Sequence, residues 1–267
     1  MSISFLQIYS FYLKIIPNFE GYLVQFAVMS RVKFVITLLL LPTYLSATAQ
    51  SLSLGWQQGD VLVRTSFDNK GKIEQVESST IEKIDTNNDK TVYTISTTAT
   101  DGNGNPININ AKEKSNSLVH EIVSTNDYLL FADMASLFKN APIPEDKELT
   151  ITTSGEFPTV PRNPQVGALP DASYCITMSN GKMDINLKFN YSKRKVVGQE
   201  VIKTECGEFV CWKFTDKMTF SMLLFKKNFL CTTWIADNIG IVKQEIADNS
   251  GKLISRECLT QFNVANK

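Results

Sequence analysis

The chain has 267 residues, with 27 basic and 27 acidic side chains, a single histidine and five cysteines. A net charge of zero gives no overall electrostatic case for nucleic acid or an anionic membrane as partner. With 43% hydrophobic residues, the length suits one β-rich domain, or two of half the size.

Residues 1–28 are apolar and aromatic, with only Lys14 and Glu20 charged, and fit no part of an export signal. They read as sequence upstream of a true start at Met29, a second membrane element being the other reading. From Met29 the pattern changes. Arg31 and Lys33 precede an apolar run from Phe34 to Leu45, and Ala47-Thr48-Ala49 offers the small residues that a signal peptidase reads. That is a secretory signal peptide over 29–49, with cleavage expected after Ala49. The run falls short of the roughly 20 residues that span a bilayer, so no transmembrane anchor is expected in the mature chain. The first cysteine is Cys175, which leaves no lipid-modified cysteine behind the signal. The expected mature product is a single exported β domain over 50–267, with a net charge of about −2.

Within it, Asp68-Asn69-Lys70-Gly71-Lys72 and Asp248-Asn249-Ser250-Gly251-Lys252 share the spelling D-N-x-G-K, and Asp101-Gly102-Asn103-Gly104-Asn105 is a looser third copy. An aspartate that binds backbone N–H groups ahead of it, followed by a left-handed glycine, makes a bulged hairpin turn. Asn180-Gly181 predicts a tight two-residue turn. Strands are expected over 91–99, 117–123, 241–247 and 254–262. The clearest runs over 182–191, where Met183, Ile185, Leu187, Phe189 and Tyr191 alternate with polar residues and form one dry face. One short helix is expected over 131–139, from the spacing of Leu130, Met134, Leu137 and Phe138. Six of the nine prolines fall between Pro142 and Pro170. Proline cannot donate to a sheet ladder, so 141–170 reads as a crossing between two halves of one curved sheet.

No catalytic motif appears. His120 lies in a strand pattern without G-x-S-x-G, H-E-x-x-H or P-loop spelling nearby, and reads as a structural or exposed histidine. A zinc site lacks a C-x2-C pair, and no cofactor or metal is predicted. Cys211, Cys231 and Cys258 fall in three strand segments. In an oxidising compartment a bridge among them is expected, its pairing undetermined, which leaves fewer than five free thiols. Lys243 and Glu245 are two apart on a strand and share a face. They either line a cavity or form a solvated pair. The run Phe220 to Phe225, FSMLLF, breaks alternation and predicts apolar side chains left outside the core.

Several segments, taken in order, resemble the TapB-like family of exported bacterial proteins: FDNKGKIEQVES (67–78), ATDGNGN (99–105), YLLFADMASLF (128–138), VGALPDAS (166–173), EFVCWKF (208–214) and TTWIADNIGIVKQEIADNSGKLISRECL (232–259). Cys175 and Cys206 depart from the family pattern. The resemblance implies a mainly β fold, a strongly bent antiparallel sheet or open half-barrel similar to periplasmic lipoprotein carriers, with one or two short helices. It implies no activity and no catalytic residues. It makes Lys243 and Glu245 family-typical, which sets a role inside the barrel level with the solvated pair. The expectation is a non-catalytic periplasmic binding module with an apolar or lipid-like ligand on its concave face, contacted by Trp234, Lys243 and Glu245. The other reading is a structural or assembly partner in an envelope complex. Neither reading involves nucleic acid.

Overall fold

Alternating burial runs through the chain and builds a single sheet. The computed structural model describes residues 51–107, 117–131, 150–179 and 184–265. Its strands are β1 (Val61–Asp68), β2 (Ile73–Asn87), β3 (Lys90–Asp101), β4 (Ser117–Thr125), β5 (Tyr128–Leu130), β6 (Thr150–Gly155), β7 (Val160–Pro161), β8 (Gly167–Ala168), β9 (Ala172–Ser179), β10 (Asp184–Thr204), β11 (Gly207–Met222), β12 (Phe225–Ala236), β13 (Gly240–Asp248) and β14 (Leu253–Asn263). They lie in the order β6-β9-β10-β11-β12-β13-β14-β1-β2-β3-β4-β5-β7, with β8 beside β10. Every strand pairing is antiparallel, and the sheet is open. Pairing of β14 with β1 joins the two halves of the chain. The described residues contain no helix. The helix expected over 131–139 lies outside them from residue 132 onward, as does the Asn180-Gly181 turn.

All three aspartate turns form as their spelling requires. Oδ1 of Asp68 accepts the N–H groups of Lys70 and Lys72, that of Asp101 those of Asn103 and Asn105, and that of Asp248 those of Ser250 and Lys252, at 2.7–3.0 Å. Gly71, Gly104 and Gly251 take φ of +80° to +84°, where a side chain is strained.

The dry face of β10 carries Leu187, Phe189 and Tyr191, each at most 2% exposed. They pack with Tyr174, Ile176, Met218, Phe220, Phe229 and Ile246, and also with Ala99 of β3 and Leu118 of β4. Six strands separate β10 from β3 along the sheet, so this contact requires the sheet to curl until its halves face each other. Bulges in β10, between Ser192 and Lys195 and between Val196 and Gly198, supply part of the bend. A second cluster packs around Trp56, Leu62, Ile95, Phe214, Ile235 and Leu259.

Residues 155–172 cross between the two edges of the open sheet. β6 lies at one edge, β7 pairs with β5 at the other, and β8 returns to β10. Only five residues lead from Gly155 to Val160. Extended chain spans at most about 3.6 Å per residue, so the edges lie within roughly 18 Å of each other. The segment forms a strap across a seam.

Candidate functional site

A cleft of about 280 Å³ opens at that seam. Tyr128 and Pro161 line it from one edge, Leu169, Pro170, Ala172 and Arg194 from the other, and Phe157 and Thr159 from the strap. Asp127, Glu156 and Asp171 complete its lining. Arg194 is 4% exposed and holds the seam together. Its Nε donates to Asp216 Oδ1 at 3.1 Å, and its terminal nitrogens donate to the carbonyls of Pro170 at 2.8 Å and Thr159 at 2.6 Å. Burial raises the Asp216 carboxyl above its usual range, opposed by the Arg194 charge.

A second buried polar array crosses the concave face. Thr233, Gln244, Glu257, Ser66 and Gln75 are successive cross-strand partners from β12 to β2, all at most 5% exposed. Gln244 Nε2 donates to Thr233 Oγ1 at 3.0 Å, Ser66 Oγ to Glu257 Oε2 at 3.3 Å, and Gln75 Nε2 to Glu77 Oε1 at 2.9 Å. Arg64 lies 4.0 Å from Glu257. The concave side therefore has apolar regions and a hydrogen-bonded polar ladder. The sequence reading missed this ladder, although Gln244 and Glu257 fall at positions whose alternation demands apolar residues.

The structure brings Trp234, Lys243 and Glu245 together, but on the outer face. Gln244 and Ile246 occupy the concave side of β13, so Lys243 and Glu245 point the other way. Of the interior and outer positions, the register gives the outer one. Lys243 Nζ lies 2.8 Å from Glu245 Oε1 and 4.5 Å from the centre of the Trp234 ring, with Lys213 Nζ at 5.1 Å from it. The Trp234 indole N–H donates to Glu200, which lowers that carboxyl's pKa together with the nearby Lys213. Trp234 itself is buried with Cys211, Ala236 and Val242. Since the Lys243 and Glu245 side chains are 22% and 31% exposed, Glu245→Ala is expected to cost about 0–1 kcal/mol in a denaturant titration. A loss of about 3–5 kcal/mol would instead describe an enclosed pair.

All five cysteines are free. The bridge expected among Cys211, Cys231 and Cys258 is not made, for reasons of register. Cys211 and Cys258 share the outer face but stand on β11 and β14, three strand spacings or about 14 Å apart. Cys231 points into the concave core. A bridge needs Cα atoms within about 4.4–6.8 Å. Burial pushes the Cys211 and Cys231 thiols up to about 12. Thiol titration should therefore leave Cys211 and Cys231 unreacted in the native protein, and return five thiols under denaturing, non-reducing conditions.

His120, on β4 opposite Ile95, encloses its Nδ1 without a hydrogen-bond partner among the described residues. Burial and the Arg64 charge lower its pKa from 6.5 to about 4. The unfolded chain thus binds a proton that the folded chain refuses, and stability falls as pH drops from about 6.5 to about 4. His120→Gln should flatten the urea-midpoint profile across that window. A profile parallel to wild type would remove His120 from the acid response. Nothing in its surroundings gives it a base's role, and no group of metal-binding side chains forms among the described residues.

Comparison with known proteins identifies the fold. A family model described as DUF3108-like matches residues 57–259. A candidate exported protein with a YmcC-like fold from Bacteroides fragilis superposes with a TM-score of 0.58 at 18% identity, covering 80% of this chain and 99% of that one. A candidate lipoprotein from Parabacteroides distasonis gives the same score and identity, covering 80% of this chain and 100% of that one. No curated protein matches the sequence.

Proposed function

The chain belongs to the DUF3108-like family, and from that premise we propose that it is an exported, non-catalytic binding module holding an apolar or lipid-like ligand on the concave side of its sheet. The observation that carries this reading is the seam. At the seam of the open, curled sheet the cleft has apolar walls in Tyr128, Phe157, Pro161, Leu169 and Pro170, with Thr159, Arg194 and the carboxylates of Asp127, Glu156 and Asp171 among them. Apolar clefts with few polar groups are the usual form of a small-molecule site. An acyl chain entering here would meet the aromatic stack of Phe157, Tyr174 and Phe189, whose ring centres are 4.6 and 4.8 Å apart.

Export is part of the proposal. It is supported by the basic, apolar and small-residue pattern of 29–49, and by the two structural neighbours described as candidates for export and lipoprotein status. The mature form is then periplasmic and begins after Ala49. The motifs from 67 to 259 support the narrower TapB-like placement within the family.

Displacement of a fluorescent acyl probe by unlabelled fatty acid tests the reading. Wild type should bind the probe, and Thr159→Trp, which fills the cleft from the strap, should abolish binding without lowering the melting temperature. Equal binding by both proteins would sink the seam as the entry, and no binding by either would sink the lipid-like ligand.

A further inference from the structure

The β11–β12 turn differs from the β1–β2, β2–β3 and β13–β14 turns. Where those expose polar tips, Asn69-Lys70, Asn88-Asp89 and Asn249-Ser250, this one runs Met222-Leu223-Leu224-Phe225 and then Lys226-Lys227. Leu223 takes φ +52°, a conformation that asparagine or glycine adopts with less strain. Leu223, Leu224 and Phe225 are 69%, 104% and 43% exposed, so the strained turn presents its apolar side chains to solvent. On its β13 side the tip also stands clear of the sheet, while β10 flanks it on the other. The last β12–β13 pair is Phe229 with Asp248, so residues 225–228 extend past β13 by about 13 Å.

Three lysines stand around this tip. Lys188 and Lys226 are both cross-strand partners of Ser221 on one face, and Lys227 lies over the Phe229 ring on the other. Asp184, across the adjoining groove, is the acidic residue among its lining. The zero net charge of the whole chain hides this local cluster. We propose that the tip docks on a lipid bilayer, with Leu223, Leu224 and Phe225 entering the boundary between headgroups and acyl chains and the lysines facing anionic headgroups. Apolar side chains ringed by lysines are what interfacial binding requires, because insertion and headgroup attraction reinforce each other. Commitment to a bilayer rather than a protein rests on this arrangement. Leu223, Leu224 and Phe225 are exposed together at the turn, beside a groove lined by Met222, Leu223 and Lys188, and the cations sit directly behind them, Lys226 and Lys227 next in the chain and Lys188 across Ser221.

Co-sedimentation with vesicles tests the proposal. Wild type should bind vesicles of phosphatidylethanolamine and phosphatidylglycerol, and bind pure phosphatidylcholine vesicles more weakly. High salt should narrow that difference. Leu223→Asn/Leu224→Gly installs a favoured hairpin turn and should fold at least as well as wild type, while binding anionic vesicles at least tenfold more weakly. Leu224→Ser alone should show the same direction, and serves if the double variant does not fold. Lys226→Ser/Lys227→Ser should lose the preference for anionic over neutral lipid. Binding by the turn variants equal to wild type, or no vesicle binding by wild type, would overturn the proposal. So would turn variants that keep vesicle binding and lose instead a cross-linked envelope protein, which would make the tip a protein contact.

Discussion

Arg194→Ala is expected to destabilise the protein by about 3–5 kcal/mol, because it strands a buried carboxylate. The Arg194 and Asp216 side chains are 3% and 1% exposed, and Asp216 Oδ2 has no hydrogen-bond partner among the described residues. Removing the guanidinium also frees the carbonyls of Pro170 and Thr159, and with them the attachment of the strap to β10. The pH dependence follows from the carboxyl. Asp216 is already raised above 3.8 in the folded protein, and without Arg194 it rises further. A raised acid costs stability as pH increases from its unfolded value, so the deficit of Arg194→Ala should be larger at pH 7 than at pH 4. Arg194→Met/Asp216→Leu should recover most of the loss, since a buried pair replaced by apolar groups of similar volume is close to neutral. Urea titrations of the three proteins at both pH values check this. A single-variant loss below about 1 kcal/mol would mean that the pair is solvated and the seam loose.

Phe189→Ala is the second large effect, at about 3–5 kcal/mol. Phe189 is 1% exposed, stacks on Tyr174 at 4.8 Å and 15°, and meets Phe220 at 5.2 Å. Its cluster includes Ala99 and Leu118 from the other half of the sheet, so the cavity would open where the two halves touch. Phe225→Ala, at a 43% exposed site, should stay within about 0.5 kcal/mol. Equal effects at the two positions would contradict the curled arrangement.

Local features of this fold are legible in the sequence, and the long-range ones are not. The dry face of β10 follows from period-two alternation, and the three aspartate turns follow from side-chain chemistry within five residues. Both depend only on neighbours in the chain. The pairing of β14 with β1 and the meeting of β3 with β10 depend on strand order and curl, which no local pattern encodes. Bulges defeat counting as well. Val242 would share a face with Gln244 by alternation, yet the shift between Trp234 and Ile235 turns it toward Trp234 and Cys211. The same dependence on register separates the cysteines. The seam cleft draws residues from 127 to 194, far apart in sequence, and could not be assembled from motifs. Gln244, Glu257 and Asp216 did leave a trace, as polar residues on apolar faces. The FSMLLF run did too, as apolar residues where a turn belongs.

We propose that the concave side of the sheet holds an apolar or lipid-like ligand reached through the seam. Native mass spectrometry of protein purified without detergent from its own cell envelope tests it most directly. Wild type should carry one bound small molecule per chain, extractable into organic solvent and identifiable as bearing an acyl or comparable apolar part, and Thr159→Trp prepared in parallel should carry none. Repeated recovery of the bare polypeptide mass from wild type, under conditions that keep a control lipid carrier loaded, would contradict it.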